Sequence, residues 1–269
     1  MKRKWLILLL LAVVILLFAL AGCEKKEKAE PAAGNIIVTR LSNPDEALNA
    51  IIKETDSSLW GKYLNRDASI GVSDREAVSF HIGAKSANAL LAVFLDDYDT
   101  AEKIGGSIKS ASDKLNIKSE EVETVAKKLL EDLEETDGKK KARQVKSTLN
   151  LLTDAVAAAL KGIGNRNEAL MIEYGAWIEA LRQTSGIVKD DYSPKAASVL
   201  RREIEAKYFK GEFQSLNLTK PSTGYETIVD ATSLLLELMK ADEQKSIPEH
   251  AVVKIHELAT QIFERSARL

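Results

Sequence analysis

After an unbroken apolar run from Trp5 to Leu20, the chain settles into a different rhythm, with apolar residues every three or four positions and charged residues between them. That period marks helices burying one face. Phe80, Ala84, Ala87, Leu91, Phe94 and Tyr98 form one stripe, and Ala101, Ile104, Ile108, Ala111 and Leu115 the next. Others run through Val122–Leu133, Val145–Ile163, Leu170–Leu181, Ala196–Tyr208, Tyr225–Met239 and Val252–Ile262, with two shorter segments near 44–54 and 57–65 ahead of them all. The β-branched stretch Asn35–Arg40 is too short to found a sheet. The spacing predicts an all-α body of about ten helices. Short links force antiparallel neighbours, so stacked helical hairpins or an irregular bundle are expected.

Punctuation refines this picture. Pro44, Pro194, Pro221 and Pro248 stand where helices can begin, and none interrupts a stripe. Gly162-Ile163-Gly164 reads as a helix stop with Gly162 in the left-handed cap. The longest links, Ser185–Ser193 and Gly211–Lys220, are the candidate seams, and a soft boundary falls near 186–193. Gly83-Ala84 precedes Asp96-Asp97-Tyr98, much as Gly175-Ala176 precedes Asp190-Asp191-Tyr192. A Gly-Ala helix, an Asp-capped turn and a second helix resemble a tetratricopeptide-type hairpin, although the 34-residue period and signature residues of that repeat are absent. The two sets read equally as duplicated halves or as coincidence.

Of the 269 residues, 45% are hydrophobic and 29% charged, which suits a globular domain. The formal charge is −2, and Lys2-Arg3-Lys4 supply three positive charges, leaving the rest of the chain near −5. A nucleic-acid partner needs a basic face to neutralise phosphate, so this balance argues against one. An aromatic content of 6% also fits base-stacking surfaces poorly.

The first 22 residues have a basic head, the apolar run, and small residues before Cys23. That is the layout of a secretory signal. Leu20-Ala21-Gly22-Cys23 resembles the lipobox of bacterial lipoproteins, and the resemblance covers residues 1–23. It implies a diacylglyceryl group on the Cys23 sulfur, cleavage before Cys23, and acylation of the new amine. The other reading is an uncleaved transmembrane anchor, since the run is about long enough to span a bilayer. Cleavage is favoured because Cys23 stands where the run ends, follows small residues, and is the chain's single Cys, which also excludes an internal disulfide. Glu24 in place of Asp implies sorting to the outer membrane by analogy with enteric lipoproteins. Residues 23–41 then form the lipidated Cys and a flexible tether, and 42–269 the helical domain.

Candidate chemistry is sparse. His256-Glu257-Leu258-Ala259-Thr260 begins like a zinc-peptidase helix, but Thr260 replaces the second His. His250 and His256 fall on different sides of one helix, and His81 flanks the Phe80 stripe. Asp96-Asp97 and Asp190-Asp191 are expected to cap helices. Lys139-Lys140-Lys141-Ala142-Arg143 is the one basic cluster, either a solvated helix start or a contact for anionic headgroups or a partner. Gly83, Gly105-Gly106 and Gly175 each interrupt a good helix at about 1 kcal/mol relative to Ala. Close helix packing is the favoured account. Were the space left for a ligand, Gly83, Tyr98, Tyr174, Gly175 and Trp177 would line it.

These readings converge on a lipid-anchored envelope protein facing the periplasm, with a non-catalytic helical interaction module and no cofactor. Its partners would be the membrane, through Cys23, and an envelope protein or small ligand. The alternative is a periplasmic small-molecule or lipid binder with an interhelical cavity. An enzyme is disfavoured, since catalysis needs convergent groups that this sequence does not advertise.

Overall fold

In the computed structural model the described residues are 44–216, 223–240 and 246–268. The chain divides into two units, Met1–Thr39 and Arg40–Leu269, and every described residue belongs to the second. The signal, Cys23, the tether and Pro221 lie outside the described residues. Among those described, the fold is all-α with ten α-helices and no strand.

Helix α1 (Pro44–Ile52) opens on proline and an acidic first turn, and it buries Leu48 and Ile51. A strap follows, containing a 3-10 helix at Ser57–Tyr63 and a non-helical stretch to Ser73. Helices α2 (Arg75–Phe94), α3 (Tyr98–Lys114), α4 (Glu120–Leu133), α5 (Gly138–Gly162) and α6 (Arg166–Asp190) come next. After them stand α7 (Pro194–Ser198), α8 (Glu203–Ser215), α9 (Thr223–Met239) and α10 (Glu249–Arg265).

Local chemistry explains the boundaries. Asp74, Asp97, Ser119, Asp137 and Ser193 each turn a side-chain oxygen onto a free N–H of the helix that follows. Three helices stop the same way, on a residue with positive φ: Asp96 (57°), Asn116 (59°) and Gly164 (85°). In each case the next N–H reaches back five residues, from Asp97 to Ala92 O, Ile117 to Ser112 O and Asn165 to Leu160 O. This closes orphan carbonyls at the helix end. Gly164 therefore holds the left-handed position expected of Gly162, which remains the last residue of α5. The expected link at 185–193 is also shorter. Helix α6 runs on to Asp190, so no seam opens at 186–190.

Adjacent helices do form antiparallel hairpins. Gly105 faces Leu129 and Lys109 pairs with Glu123 across α3 and α4, and Asp132 meets Thr148 across α4 and α5. The centre is different. Helices α2 and α6 make the most extensive contact in the fold, and they run parallel. Arg75 pairs with Glu168, Gly175 meets Phe80, and Gln183 donates to Asn88, a register that keeps residues 93 and 95 apart opposite each other. Both helices are buried on nearly every side because neighbours enclose them. By length and composition α2 could cross a membrane, yet 89% of its apolar window is buried within the domain.

At the crossing the two glycines act reciprocally. A Cβ on Gly83 would stand 1.9 Å from Ile172 O, and one on Gly175 would stand 2.0 Å from Phe80 O. Each carbonyl belongs to the residue three before the other helix's glycine. The two Gly-Ala sets of the sequence thus meet face to face as a local two-fold pair.

Candidate functional site

The ligand space suggested by Gly83, Tyr98, Tyr174, Gly175 and Trp177 is filled. Backbone occupies the glycine crossing. Tyr174 is fully buried and donates to or accepts from Thr232 Oγ1 at 2.7 Å. Phe213 and Phe209 pack edge-on to its ring at 4.8 and 5.1 Å, and Phe209 lies 5.2 Å from Trp177. Tyr98 is elsewhere, at the start of α3, beneath the Lys141 ammonium at 4.4 Å. The alternation of small and aromatic residues encodes packing.

Beyond the crossing, α2 and α6 enclose a polar seam. Glu179 is 1% exposed and receives two bonds from Arg182, both 2.7 Å. Gln183 Nε2 donates to Glu179 Oε1 and to Asn88 Oδ1, each at 3.1 Å. Asn88 in turn holds Asn65 of the strap, accepting from its N–H at 3.1 Å and donating to its carbonyl at 2.8 Å. One turn earlier, the buried Lys85 ammonium donates to Asp67 O. Burial pushes Lys85 below the usual lysine range, against the pull of Asp67 and Glu179.

The histidines border this seam. His81 packs edge-on to Phe80 and Phe263, and its Nε2 has no hydrogen-bond partner among the described residues. Burial, with the charge of Lys85 adding to it, pushes His81 down to about 4. His256 lies 3.0 Å from Arg182 O through Nδ1 and stacks edge-on to Tyr63. Burial lowers its pKa too, with Lys189 contributing. Among the described residues no group of three His, Cys, Asp or Glu is placed to hold a metal ion.

Of the two Asp pairs, only the first caps a helix, through Asp97. Asp97 caps α3 and also pairs with Arg66 at 3.0 Å. Asp190 pairs with Lys62 at 2.5 Å, and Asp191 accepts from the Asp56 N–H at 3.2 Å. Neither Asp190 nor Asp191 caps α7, whose cap is Ser193. Both acidic turns grip the strap. No short-range spacing announces such a contact, because it links residues 31 to 135 positions apart.

The basic cluster is partly spent on local contacts. Lys140 pairs with Glu135, Lys141 sits on the Tyr98 ring, and Asp137 caps the helix beneath them. Lys139 and Arg143 are exposed.

A trough of about 430 Å³ opens between α3 and α4. Gly105, Gly106, Ala126 and Leu129 form its floor, and Leu130 stands beside it at 54% exposure. Asp99, Glu102 and Lys103 line one wall, Lys127 the other, and the Lys109–Glu123 pair bridges one end at 3.0 Å. Gly105 has a packing reason, since a Cβ there would meet Leu129 at 2.4 Å. Gly106 has none, because its Cβ would meet nothing within 4 Å. A mid-helix glycine that costs about 1 kcal/mol and relieves no clash deepens the trough. Sequence reasoning flagged both glycines but could not tell filled space from open space.

Comparison with protein-family models, curated protein sequences and solved structures finds no match to the chain.

Proposed function

We propose that this chain is a lipid-anchored envelope protein whose helical domain is a non-catalytic interaction module, with the α3–α4 trough as its contact surface. Cys23 carries the lipid, residues 24–41 are the tether, and the domain faces the periplasm from the outer membrane. The observation that supports the contact surface is the trough itself. It has a floor of glycine, alanine and leucine, an exposed Leu130 at its edge and charges of both signs along its walls.

Its occupant is an amphipathic helix of a partner protein. Residues 99 to 109 of α3 flank the trough, so it is about 15 Å long, roughly three turns of a guest helix. Small floor residues let that helix lie close, its apolar face takes up Leu129 and Leu130, and charges of both signs on its flanks meet Asp99, Glu102, Lys103 and Lys127. This is helix-in-groove recognition.

Two measurements test the two halves of this reading. Mass spectrometry of the natural protein should find an acylated N-terminal Cys23, and an unprocessed leader would refute the anchor. A photo-crosslinking residue at Leu130 in intact cells should give one discrete protein adduct, lost when Gly106→Trp fills the trough. Labelling of lipid or of nothing would overturn the contact surface, and lipid adducts would favour a binder of small amphiphiles instead.

A further inference from the structure

The strap is held to α2 in an unusual way. Asn88 and Lys85 hydrogen-bond main-chain atoms of the segment that crosses them: the N–H and C=O of Asn65, and the C=O of Asp67. We propose that this face of α2 is a peptide-binding cleft, occupied in cis by residues 63–67 of the strap. Its ligand class is a peptide with an aromatic–aliphatic pair between two cations, as Lys62, Tyr63, Leu64 and Arg66 are placed here, the backbone passing from a 3-10 turn to extended at the aliphatic residue. The inference is independent of lipidation and of the α3–α4 trough.

The geometry carries it. In extended backbone the N–H and C=O of one residue point to the same side, and a carboxamide offers one acceptor and one donor to match them. Gln183 donates to Asn88 Oδ1 and so fixes which way that amide faces. The readers Asn88 and Lys85 are three residues apart on the helix, and their targets are two residues apart on the strap. The long lysine side chain spans the difference and reaches Asp67 O.

The reading face is also assembled without its occupant. The bonds of Arg182 to Glu179, and of Gln183 to Glu179 and Asn88, lie wholly within α2 and α6. With the strap lifted, Asn88 would still be oriented, which lowers the cost of binding a new segment. Side-chain selection lies around the readers. Tyr63 and Leu64 are buried, Lys62 pairs with Asp190, and Arg66 pairs with Asp97. Beyond the clamp, Gly71 stands in open space in the non-helical link to α2.

A fluorescent peptide spanning residues 58–72 tests the cleft on the full chain in detergent. Lys62→Glu with Arg66→Glu sets two carboxylates against Asp97 and Asp190, while leaving the readers intact. In this double variant hydrogen exchange across 57–70 should rise, and the peptide should bind at least tenfold tighter than to the unaltered chain. Asn88→Leu in the same background should abolish binding, and so should N-methylation of the peptide at the position of Asn65, a control that leaves the protein untouched. The proposal falls if the strap stays protected in the double variant, if it opens but the peptide does not bind, or if binding survives N-methylation.

Discussion

The α2–α6 crossing and helix α3 both spend glycines in the middle of helices, and they do so for opposite reasons. At the α2–α6 crossing, Gly83 and Gly175 each make room for the other helix's backbone, and no space is left over. On α3, Gly105 admits the Leu129 side chain, whereas its neighbour Gly106 faces open space. The residue type and the cost to the helix are the same. The difference is what fills the missing volume, and this separates a structural glycine from one that shapes a surface.

The largest effect should come at the crossing. Gly83→Ala or Gly175→Ala drives a methyl group to within 2.0 Å of a carbonyl oxygen, a clash that no rotamer can relieve. Either should cost more than about 4 kcal/mol in urea denaturation, in the range where a single change unfolds a domain. Ordinary stability in both variants would mean the two helices are not in this register.

Acid should separate the regions next. His81, two residues before Gly83, has its folded pKa lowered to about 4. Protons therefore bind the unfolded chain first. Its contribution is complete above about pH 6.5 and declines as the pH falls toward 4, by about 2–3 kcal/mol. His256 acts in the same direction. Denaturation midpoints measured across that range should fall, and His81→Phe should flatten the slope. A slope unchanged by the substitution would remove His81 from the account.

Gly105→Ala displaces only a leucine tip, so a cost of about 1–2 kcal/mol is expected from the same titration. The smallest effect has the opposite sign. Gly106→Ala should stabilise by up to about 1 kcal/mol, since the helix gains and nothing is struck. A loss at Gly106 as large as that at Gly83 would erase the contrast.

Helical periodicity made the all-α class and most helix positions legible in the sequence, and the glycines stood out because they interrupt good helices. Periodicity records which face of a helix is buried, not what covers it. Tyr98 and Tyr174 therefore looked like neighbours of one space, although one meets Lys141 at the surface and the other meets Phe209 and Phe213 in the core. The parallel α2–α6 pair was hidden for the same reason, since short links speak only for adjacent helices. Asp190 and Asp191 looked like caps because Asp in a turn commonly caps, and their partners Lys62 and Asp56 lie far back in the chain. The open trough was similarly silent, because a glycine over empty space and one against backbone are written with the same letter.

The parallel central pair also sets a timetable for biosynthesis. Its partners are 93 to 95 residues apart, and ribosomes add about 5–20 residues per second. Helix α2 is consequently complete roughly 5–20 s before α6 exists to cover it. Throughout that interval the one described helix both long and apolar enough to enter a bilayer has no permanent neighbour on its glycine face. Until α6 arrives, that surface has no native cover.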